Sequence, residues 1–230
     1  MRPHVTCLMF TSVDGRVQTK RWVPKFDAAA AYERMHNALE ADAWLVGRTT
    51  GEEFNERDEP YPPYSGPPIP REDWFAVESA ETWAVVMDAN GKIAWGTSDV
   101  GGDRIVVLLS RQVSDNHLAG LRADGVSYIF GGDTDIDLRS ALETLGHRLG
   151  IKRLLMEGGG HANGAMLAAG LIDELHLVVA PHVDGSRTSP SLFDVEGADE
   201  QRPPVRAMTL ESHELLDGGL MLLRYKLENG

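Results

Sequence analysis

The stretch LLMEGGGHANGAMLAAGLIDELHLVVAP, residues 154–181, carries the strongest fold signal in the sequence. An apolar run ends in a carboxylate, three glycines follow, a stretch rich in small residues comes next, and a second apolar run closes the unit. Two such runs around a helical stretch are typical of parallel strands joined by a helix. Three consecutive glycines are unfavourable to order, because glycine loses more backbone freedom on folding than any other residue. We therefore expect another group to approach this backbone closely.

The rest of the sequence also alternates short apolar runs with helical stretches. The predicted strands lie at 4–10, 43–47, 82–88, 104–110, 125–130, 151–157 and 173–181, and the predicted helices at 27–41 and 137–149. Asp27 is the predicted N-cap of the first helix, and Gly150 is the glycine that closes the second. This alternation predicts an α/β fold with a mostly parallel sheet covered on both faces. At 205–227 two strand-like runs flank LLDGGL, which predicts an antiparallel hairpin at a sheet edge.

Composition and charge argue against several classes of function. The 230 residues carry a formal net charge of −13, which disfavours binding to nucleic acid or to anionic membranes. No apolar run approaches the roughly 20 residues of a membrane span, and the N-terminus lacks the apolar core of a signal peptide. Cys7 is the only cysteine and the eight histidines lack ligand spacing, which argues against a disulfide or a metal site. We expect a soluble cytoplasmic protein without a metal.

One segment does not fit a compact sheet. NERDEPYPPYSGPPIPRED, residues 55–73, holds six prolines and cannot form an interior strand or helix. It is either a surface excursion or a lid over a site, because long loops are often functional. No repeat or composition shift marks a domain boundary. We therefore predict a single domain over 1–230, with 55–80 as an insertion or lid.

The glycine unit has the properties of an anion site. Amides at the start of a helix point outward, and the helix dipole favours negative charge there. Close approach of a phosphate explains Gly158, Gly159 and Gly160, and we expect a Cβ at Gly159 to intrude on the ligand or to require a disallowed φ. The alternative is a tight turn without a ligand. The dinucleotide fingerprint G-x-G-x-x-G fails, because Asn163 occupies the third glycine position, and no Walker A pattern occurs.

Two other predicted strand ends carry phosphate-binding residue types. One is followed by Gly47, Arg48, Thr49 and Thr50, and the other ends in Ser110 and Arg111. Arginine offers a planar fork to phosphate, and hydroxyls and amides add donors. Each could instead be an ordinary helix start with a solvated arginine. Ligands of open α/β sheets bind at the carboxyl edge, so the three strand ends together predict one long polyanionic ligand.

Three motifs make the resemblance to a known family specific. TSVDGRV (11–17), ADAWLVGRTT (41–50) and the glycine unit occur in the order and spacing of the dihydrofolate reductase-like superfamily. Within it the sequence resembles the C-terminal reductase domain of bacterial riboflavin-biosynthesis enzymes and their stand-alone relatives. The resemblance implies a three-layer α/β/α sandwich with a mostly parallel sheet and an antiparallel C-terminal end. The bifunctional enzymes also carry a zinc deaminase half, which one cysteine cannot build.

The resemblance also implies an activity. In the family, NADPH gives a hydride to the ribose carbon of a 5-amino-6-ribosylaminopyrimidine 5′-phosphate, and this protein is expected to be such a pyrimidine reductase of riboflavin biosynthesis. The residues implied to hold the pyrophosphate are Gly158, Gly159, Gly160, His161, Ala162 and Asn163, with Gly47, Arg48, Thr49 and Thr50 on its other side. The residues implied to face the 2′-phosphate are Arg48, Ser110 and Arg111.

The remaining implied roles concern the reacting groups. Main-chain groups near Cys7 would meet the nicotinamide carboxamide, and Asp14 would brace the loop SVDGRV over the nicotinamide. Glu157 would meet the substrate, and Trp22 could stack on its ring. The proton source stays open between Asp14 and Glu157.

The sequence leaves two alternative functions open and also predicts an oligomeric state. The protein could be a dihydrofolate reductase-like reductase of another heterocycle or carbonyl, although Asp27, Glu33 and Glu40 of the first helix lack a convincing context for protonating a pterin. It could also be a non-catalytic nucleotide- or flavin-binding module that has lost its substrate site. The apolar strand DELHLVVAP and the C-terminal hairpin predict a homodimer.

Overall fold

The computed structural model describes residues 1–23, 28–195 and 205–228. The protein forms two compact units. Unit 1 comprises Met1–Pro3 and Asp42–Lys152, and unit 2 comprises His4–Ala41 and Arg153–Gly230. The single-domain organisation stays a prediction.

The regular elements follow the alternation expected from the sequence. The strands are β1 His4–Thr11, β2 Ala43–Gly47, β3 Trp83–Met87, β4 Asp99–Val100, β5 Asp103–Ser110, β6 Ser127–Gly132, β7 Arg153–Met156, β8 Glu174–Val179, β9 Met208–Leu216 and β10 Leu220–Leu227. The helices are α1 Ala28–Ala38, α2 Arg48–Gly51, α3 Asp115–Asp124, α4 Leu138–Arg148 and α5 Gly160–Ala168.

Unit 1 is built on parallel strands. β2 pairs with β3, β3 with β5, and β5 with β6, all in parallel, while the short β4 runs antiparallel to the start of β5. The apolar runs of these strands are buried, as expected for strands covered on both faces. Helix α3 is capped by Ser114, whose side chain accepts the His117 amide, and Asp137 caps α4 by accepting the Ser140 amide.

Unit 2 joins a parallel to an antiparallel part. β7 and β8 flank β1 in parallel, and β8, β10 and β9 follow in antiparallel order. The predicted C-terminal hairpin is therefore confirmed. A core cluster that includes Phe10, Val178 and Leu222 lies on one face of these strands, with Tyr32 and Met35 of α1 packed against it. This packing places α1 close to β1.

Some elements differ from the predicted ones. Helix α1 ends at Ala38 rather than at 41, and Glu40 just beyond it has a φ of +43°. The predicted cap Asp27 lies outside the described residues. Gly150, with a φ of +72°, does follow α4 as expected. Helix α3 and strand β4 were not predicted, because α3 offers few periodic apolar positions and β4 has only two residues.

The proline-rich segment packs within unit 1. Trp74 and Tyr128 of β6 exchange main-chain hydrogen bonds of 3.0 and 2.8 Å. Arg71 donates to Asp115 at the start of α3 at 2.6 Å, and the Tyr61 hydroxyl donates to Asp124 at its end at 2.8 Å. These contacts hold 61–74 against α3 and β6. Its function as a lid stays a prediction.

Two kinds of feature are absent from the described residues. No helix there is both long and apolar enough to cross a membrane. No group of three or more His, Cys, Asp or Glu side chains is placed there to hold a metal ion.

Candidate active site

The three glycines that follow β7 differ in their backbone conformation and in the atoms that surround them. Gly158 has a φ of +88°, and a Cβ there would lie 2.8 Å from the Met9 sulfur. Gly160 faces the segment 191–195, where a Cβ would lie 2.5 Å from the Ser191 carbonyl oxygen and would also clash with the Asp194 carboxylate. Gly158 is thus required by its φ and by Met9, and Gly160 by packing. The close approach of a phosphate is therefore not needed to explain the absence of a Cβ at these two positions, and binding of a phosphate by their main-chain amides stays a prediction.

Gly159 is the open position of the turn. It is the N-cap of α5, with a φ of −63° and a ψ of −173° that any residue can adopt. Apart from its chain neighbours and the backbone of α5, no atom of the described residues lies within 4 Å of where its Cβ would be. The expected disallowed φ at Gly159 is therefore wrong, and the turn has open space beside Gly159.

Asn163 belongs to the packing rather than to the open side of α5. Its main-chain amide donates to the Gly159 carbonyl at 3.0 Å, and its side-chain amide donates to the Leu192 carbonyl at 2.8 Å. It is fully buried, whereas His161 is exposed. The prediction that Asn163 binds the pyrophosphate is therefore corrected. The Asn163 side chain instead holds the segment 191–195. The first-turn amides of Gly160, His161 and Ala162 remain as candidates for an anion.

Asp14 is held by three hydrogen bonds within unit 2, and its bracing of the loop over a nicotinamide stays a prediction. Its carboxylate accepts the Ser12 hydroxyl at 2.6 Å and the amides of Asp184 and Gly185 at 2.9 and 2.8 Å. The Ser12 hydrogen bond, followed by the two amides, holds the pKa of Asp14 well below its usual range. Asp14 is therefore ionised at neutral pH and cannot supply a proton.

The Asp14 loop and the start of α5 share one neighbouring segment, residues 182–195. The Arg16 guanidinium donates to the Ser189 carbonyl at 2.9 Å, and the Leu192 amide donates to the Gly15 carbonyl at 3.2 Å. The Asp194 amide donates to the Gly160 carbonyl at 2.9 Å. The two predicted motifs are thereby connected within unit 2.

Glu157 is paired with two residues of α1 that sequence reasoning missed. Its Oε1 lies 2.6 Å from His36 Nδ1, and it accepts the Tyr32 hydroxyl. Burial, together with the nearby Glu157 charge, raises the pKa of Tyr32 well above its usual value, so its hydroxyl stays a donor. Tyr32 and His36 are four residues apart and share one helix face. That spacing was visible in the sequence, but nothing there indicated that the face meets Glu157.

Cys7 itself is not placed to bind a ligand with its main chain. The carbonyl oxygens of Val5 and Thr11 accept amides from residues flanking β8. Because main-chain groups alternate along a strand, those of Cys7 also point into the β1–β8 ladder. The main-chain groups of Leu8 and Phe10 point to the opposite edge of β1, towards β7. Strand β7 ends at the residue opposite Cys7, so it does not extend as far as Leu8 and Phe10. The main-chain groups of Leu8 and Phe10 therefore replace those of Cys7 as candidates for the carboxamide.

Trp22 is a core residue. It is 4% exposed, belongs to the cluster around Phe10, and stacks on the His182 ring with centroids 5.2 Å apart. So little exposed surface leaves no ring face for a substrate. The expected stacking of Trp22 on a substrate is wrong for this reason.

The remaining predicted residues lie in unit 1. Gly47 is the last residue of β2, and Arg48, Thr49 and Thr50 form the single turn α2, too short for a substantial helix dipole. Arg48 is paired with Glu52 one turn later. The Arg48 phosphate contact would therefore have to displace an exposed ion pair, and such pairs are weak.

The end of β5 has a similar arrangement. Arg111 lies 3.3 Å from Asp133 and over the Phe130 ring, while Ser110 is fully buried and its hydroxyl has no partner among the described residues. Sequence reasoning missed Asp88, whose carboxylate accepts the Lys92 and Ile93 amides at 2.6 and 2.9 Å. Burial raises the pKa of Asp88, and the hydrogen bonds from the Ile93 and Lys92 amides, followed by the Arg48 charge, oppose the shift.

A comparison with protein families decides the classification. The family described as the RibD C-terminal domain matches residues 3–222. The chain belongs to the RibD C-terminal domain family.

Relatives in this family carry consistent names. A 2,5-diamino-6-ribosylamino-4(3H)-pyrimidinone 5′-phosphate reductase of Methanothermobacter thermautotrophicus is 29% identical over 217 residues, covering 94% of each protein. A protein of the same name from Aquifex aeolicus is 25% identical over 206 residues, covering 85% of this chain and 84% of the other. A pyrimidine reductase-like protein from Corynebacterium diphtheriae superposes with a TM-score of 0.73 at 20% identity, covering 99% of this chain and 93% of that one.

Membership of the RibD C-terminal domain family confirms the resemblance drawn from the three motifs. The structural likeness confirms the dihydrofolate reductase-like α/β fold with its antiparallel C-terminal strands. Neither tests the roles of single residues.

Proposed function

We propose that this protein is the pyrimidine reductase of riboflavin biosynthesis, which transfers a hydride to the ribose carbon of a 5-amino-6-ribosylaminopyrimidine 5′-phosphate or its 2,5-diamino analogue. The family and the printed names of its relatives support this reaction class. The observation that carries it is the strand end itself. A nearly buried carboxylate, Glu157, directly precedes a turn whose Gly159 borders open space.

We propose NADPH as the hydride donor. The first-turn amides of Gly160, His161 and Ala162 fit a phosphate oxygen, because the adjoining Gly159 presents no Cβ. In unit 1, Arg48 and Arg111 are the candidates for the 2′-phosphate, with Ser110 as a further donor. When bound, the nicotinamide would supply the hydride, and the protein's own residues position and protonate the substrate.

Glu157 is proposed to serve the substrate rather than the cofactor. A carboxylate beside a phosphate would repel it, whereas the Glu157 side chain is turned to His36 and Tyr32 of α1. Its second oxygen could accept a hydroxyl or amine of the ribose or pyrimidine. Asp14 keeps a different task, since its three hydrogen bonds fix the loop SVDGRV.

The proposed function is tested by following NADPH oxidation with the two pyrimidine phosphates and with dihydrofolate. We expect turnover with a pyrimidine, and a loss of at least about tenfold in kcat/KM for Glu157→Gln with NADPH affinity within about threefold. The matched control is Glu33→Gln, an exposed carboxylate of α1, which should leave activity unchanged. Tight NADPH binding without turnover on any of these substrates would favour a non-catalytic nucleotide-binding module instead.

We also propose that the protein is a homodimer. Two residues of β8 pair with residues of β10: Leu177 with Leu223, and Val179 with Met221. Met221 also pairs with Leu215 of β9. Paired residues share a face, so these five form an apolar face, opposite the core cluster of unit 2. Leu215 is 71% exposed and the others are only partly covered, so a second copy of the protein would bury them.

A further inference from the structure

The reaction proposed above needs a proton as well as a hydride. When a hydride adds to the carbon of an acyclic C=N bond, the electron pair of that bond moves to nitrogen, and the nitrogen must take one proton. A bound reduced nicotinamide would supply the hydride with its two electrons, but no proton for the nitrogen. An acid group of the protein is needed near the acceptor.

Several ionisable groups of unit 2 are unsuited to that task at neutral pH. Asp14 accepts three hydrogen bonds and is held ionised. Burial raises the pKa of Cys7 to about 12, and burial also raises that of Tyr32, so neither releases its proton readily. Tyr32 faces the Glu157 carboxylate from α1 beside His36, and Cys7 of β1 interacts with Tyr32. The pair formed by Glu157 and His36 remains.

The geometry of this pair suits the sharing and replacement of a proton. Glu157 Oε1 and His36 Nδ1 are 2.6 Å apart, a separation typical of a hydrogen bond with an ionised partner. The Glu157 side chain is 11% exposed and that of His36 is 28% exposed. Water therefore reaches His36 more readily than Glu157. Histidine is the side chain whose ordinary pKa lies closest to neutral pH.

We propose that His36 acts through Glu157 as the positioning and proton-supplying partner of the reduction, an inference that rests on the proposed function. The Glu157 carboxylate takes the proton carried by His36 Nδ1, and the substrate nitrogen takes that proton from the Glu157 carboxyl group as the hydride arrives. The pair is then a carboxylate and a neutral imidazole, and His36 recovers a proton from solvent. His36 does not touch the substrate. The Tyr32 hydroxyl donates to Glu157 throughout and fixes the carboxylate.

The decisive variant is His36→Asn. The asparagine side-chain amide takes the place of Nδ1 and keeps a donor to Glu157, but it carries no titratable proton. Steady-state kinetics from pH 5.5 to 9 should show kcat at pH 7 lowered at least tenfold, with the substrate KM and the NADPH Kd within threefold. The wild type should lose kcat as pH rises through the His36 pKa, and the variant should lack this limb. His147→Asn, at an exposed position on α4, is the control and should match the wild type.

A measurement without cofactor or substrate checks the pairing itself. Histidine nitrogen signals of the ligand-free protein should show His36 titrating at a lower pH in Glu157→Gln than in the wild type, because the carboxylate stabilises the imidazolium. An unchanged midpoint would overturn the shared proton. A second outcome would overturn only the role of His36. In that outcome the wild type is active, and His36→Asn keeps kcat within twofold of the wild type and shows the same fall of kcat with rising pH. A wild type that reduces neither pyrimidine would overturn the proposed function and the proton delivery together.

Discussion

At the scale of single residues, the glycine turn combines two packed glycines with an open one. A Cβ at Gly158 or Gly160 would meet Met9 or the segment around Asp194, whereas a Cβ at Gly159 would meet no more distant atom of the described residues. Adjacent glycines can therefore be distinguished by experiment, because packing restricts only two of them.

Gly159→Ala should leave the free energy of unfolding unchanged within about 0.5 kcal/mol, or slightly raised, since its φ is ordinary. It should raise the NADPH dissociation constant by tenfold or more, about 1.4 kcal/mol, because the Cβ would meet the bound phosphate. Gly160→Ala is the matched control and should lower stability by about 1–3 kcal/mol through its clash with Asp194. Urea unfolding measures the free energy of unfolding of each variant, and nucleotide titration measures its NADPH dissociation constant. If Gly159→Ala binds NADPH as tightly as the wild type, the phosphate of the cofactor does not bind at this turn.

The proposed preference for NADPH can also be tested at single residues. We expect NADPH to bind at least about tenfold more tightly than NADH, and Arg48→Ala to weaken NADPH more than NADH, because only NADPH carries the 2′-phosphate. Fluorescence titration with both nucleotides measures the ratio, and Arg139→Ala, exposed on α4, is the control. Equal losses for the two nucleotides would make Arg48 a structural residue whose partner is Glu52.

At the scale of elements, helix α3 carries a buried histidine that the candidate site does not use. His117 is 8% exposed, its Nε2 has no partner among the described residues, and its ring meets Tyr61 edge-on at 5.1 Å. Burial lowers the pKa of His117 to about 4. The folded protein therefore keeps this imidazole neutral, while the unfolded protein binds a proton below its ordinary pKa of 6.5.

The free energy of unfolding should therefore fall as pH falls from about 6.5 towards 4. Between pH 7 and pH 5 the contribution of His117 is about 2 kcal/mol. Urea unfolding across this range should show a shallower loss for His117→Gln than for the wild type, and His147→Gln should retain the wild-type slope. His176, whose pKa burial also lowers, remains in every variant and cancels in the difference. Identical slopes for His117→Gln and the wild type would mean that His117 is protonated in the folded state.

At the scale of the whole molecule, the apolar face of β8, β10 and β9 predicts the assembly. Sedimentation should give a mass near twice the protomer's 25.2 kDa at micromolar concentration. Leu215→Glu should shift the protein to monomer, because a buried unpaired carboxylate would oppose association. Val183→Glu, at an equally exposed position outside the hairpin, should remain a dimer. A monomeric wild type would contradict the proposed interface.

The sequence by itself determined most of the strands, the C-terminal hairpin, the glycine unit and the family. These depend on local periodicity and on motifs whose residues are close together in the sequence. Only the tertiary structure decided that Trp22 is buried, that Gly160 packs on Asp194, and that His36 meets Glu157 from 121 residues away. The physical reason is that such contacts depend on how helix and loop faces pack together. A residue's own neighbours in sequence do not specify that packing.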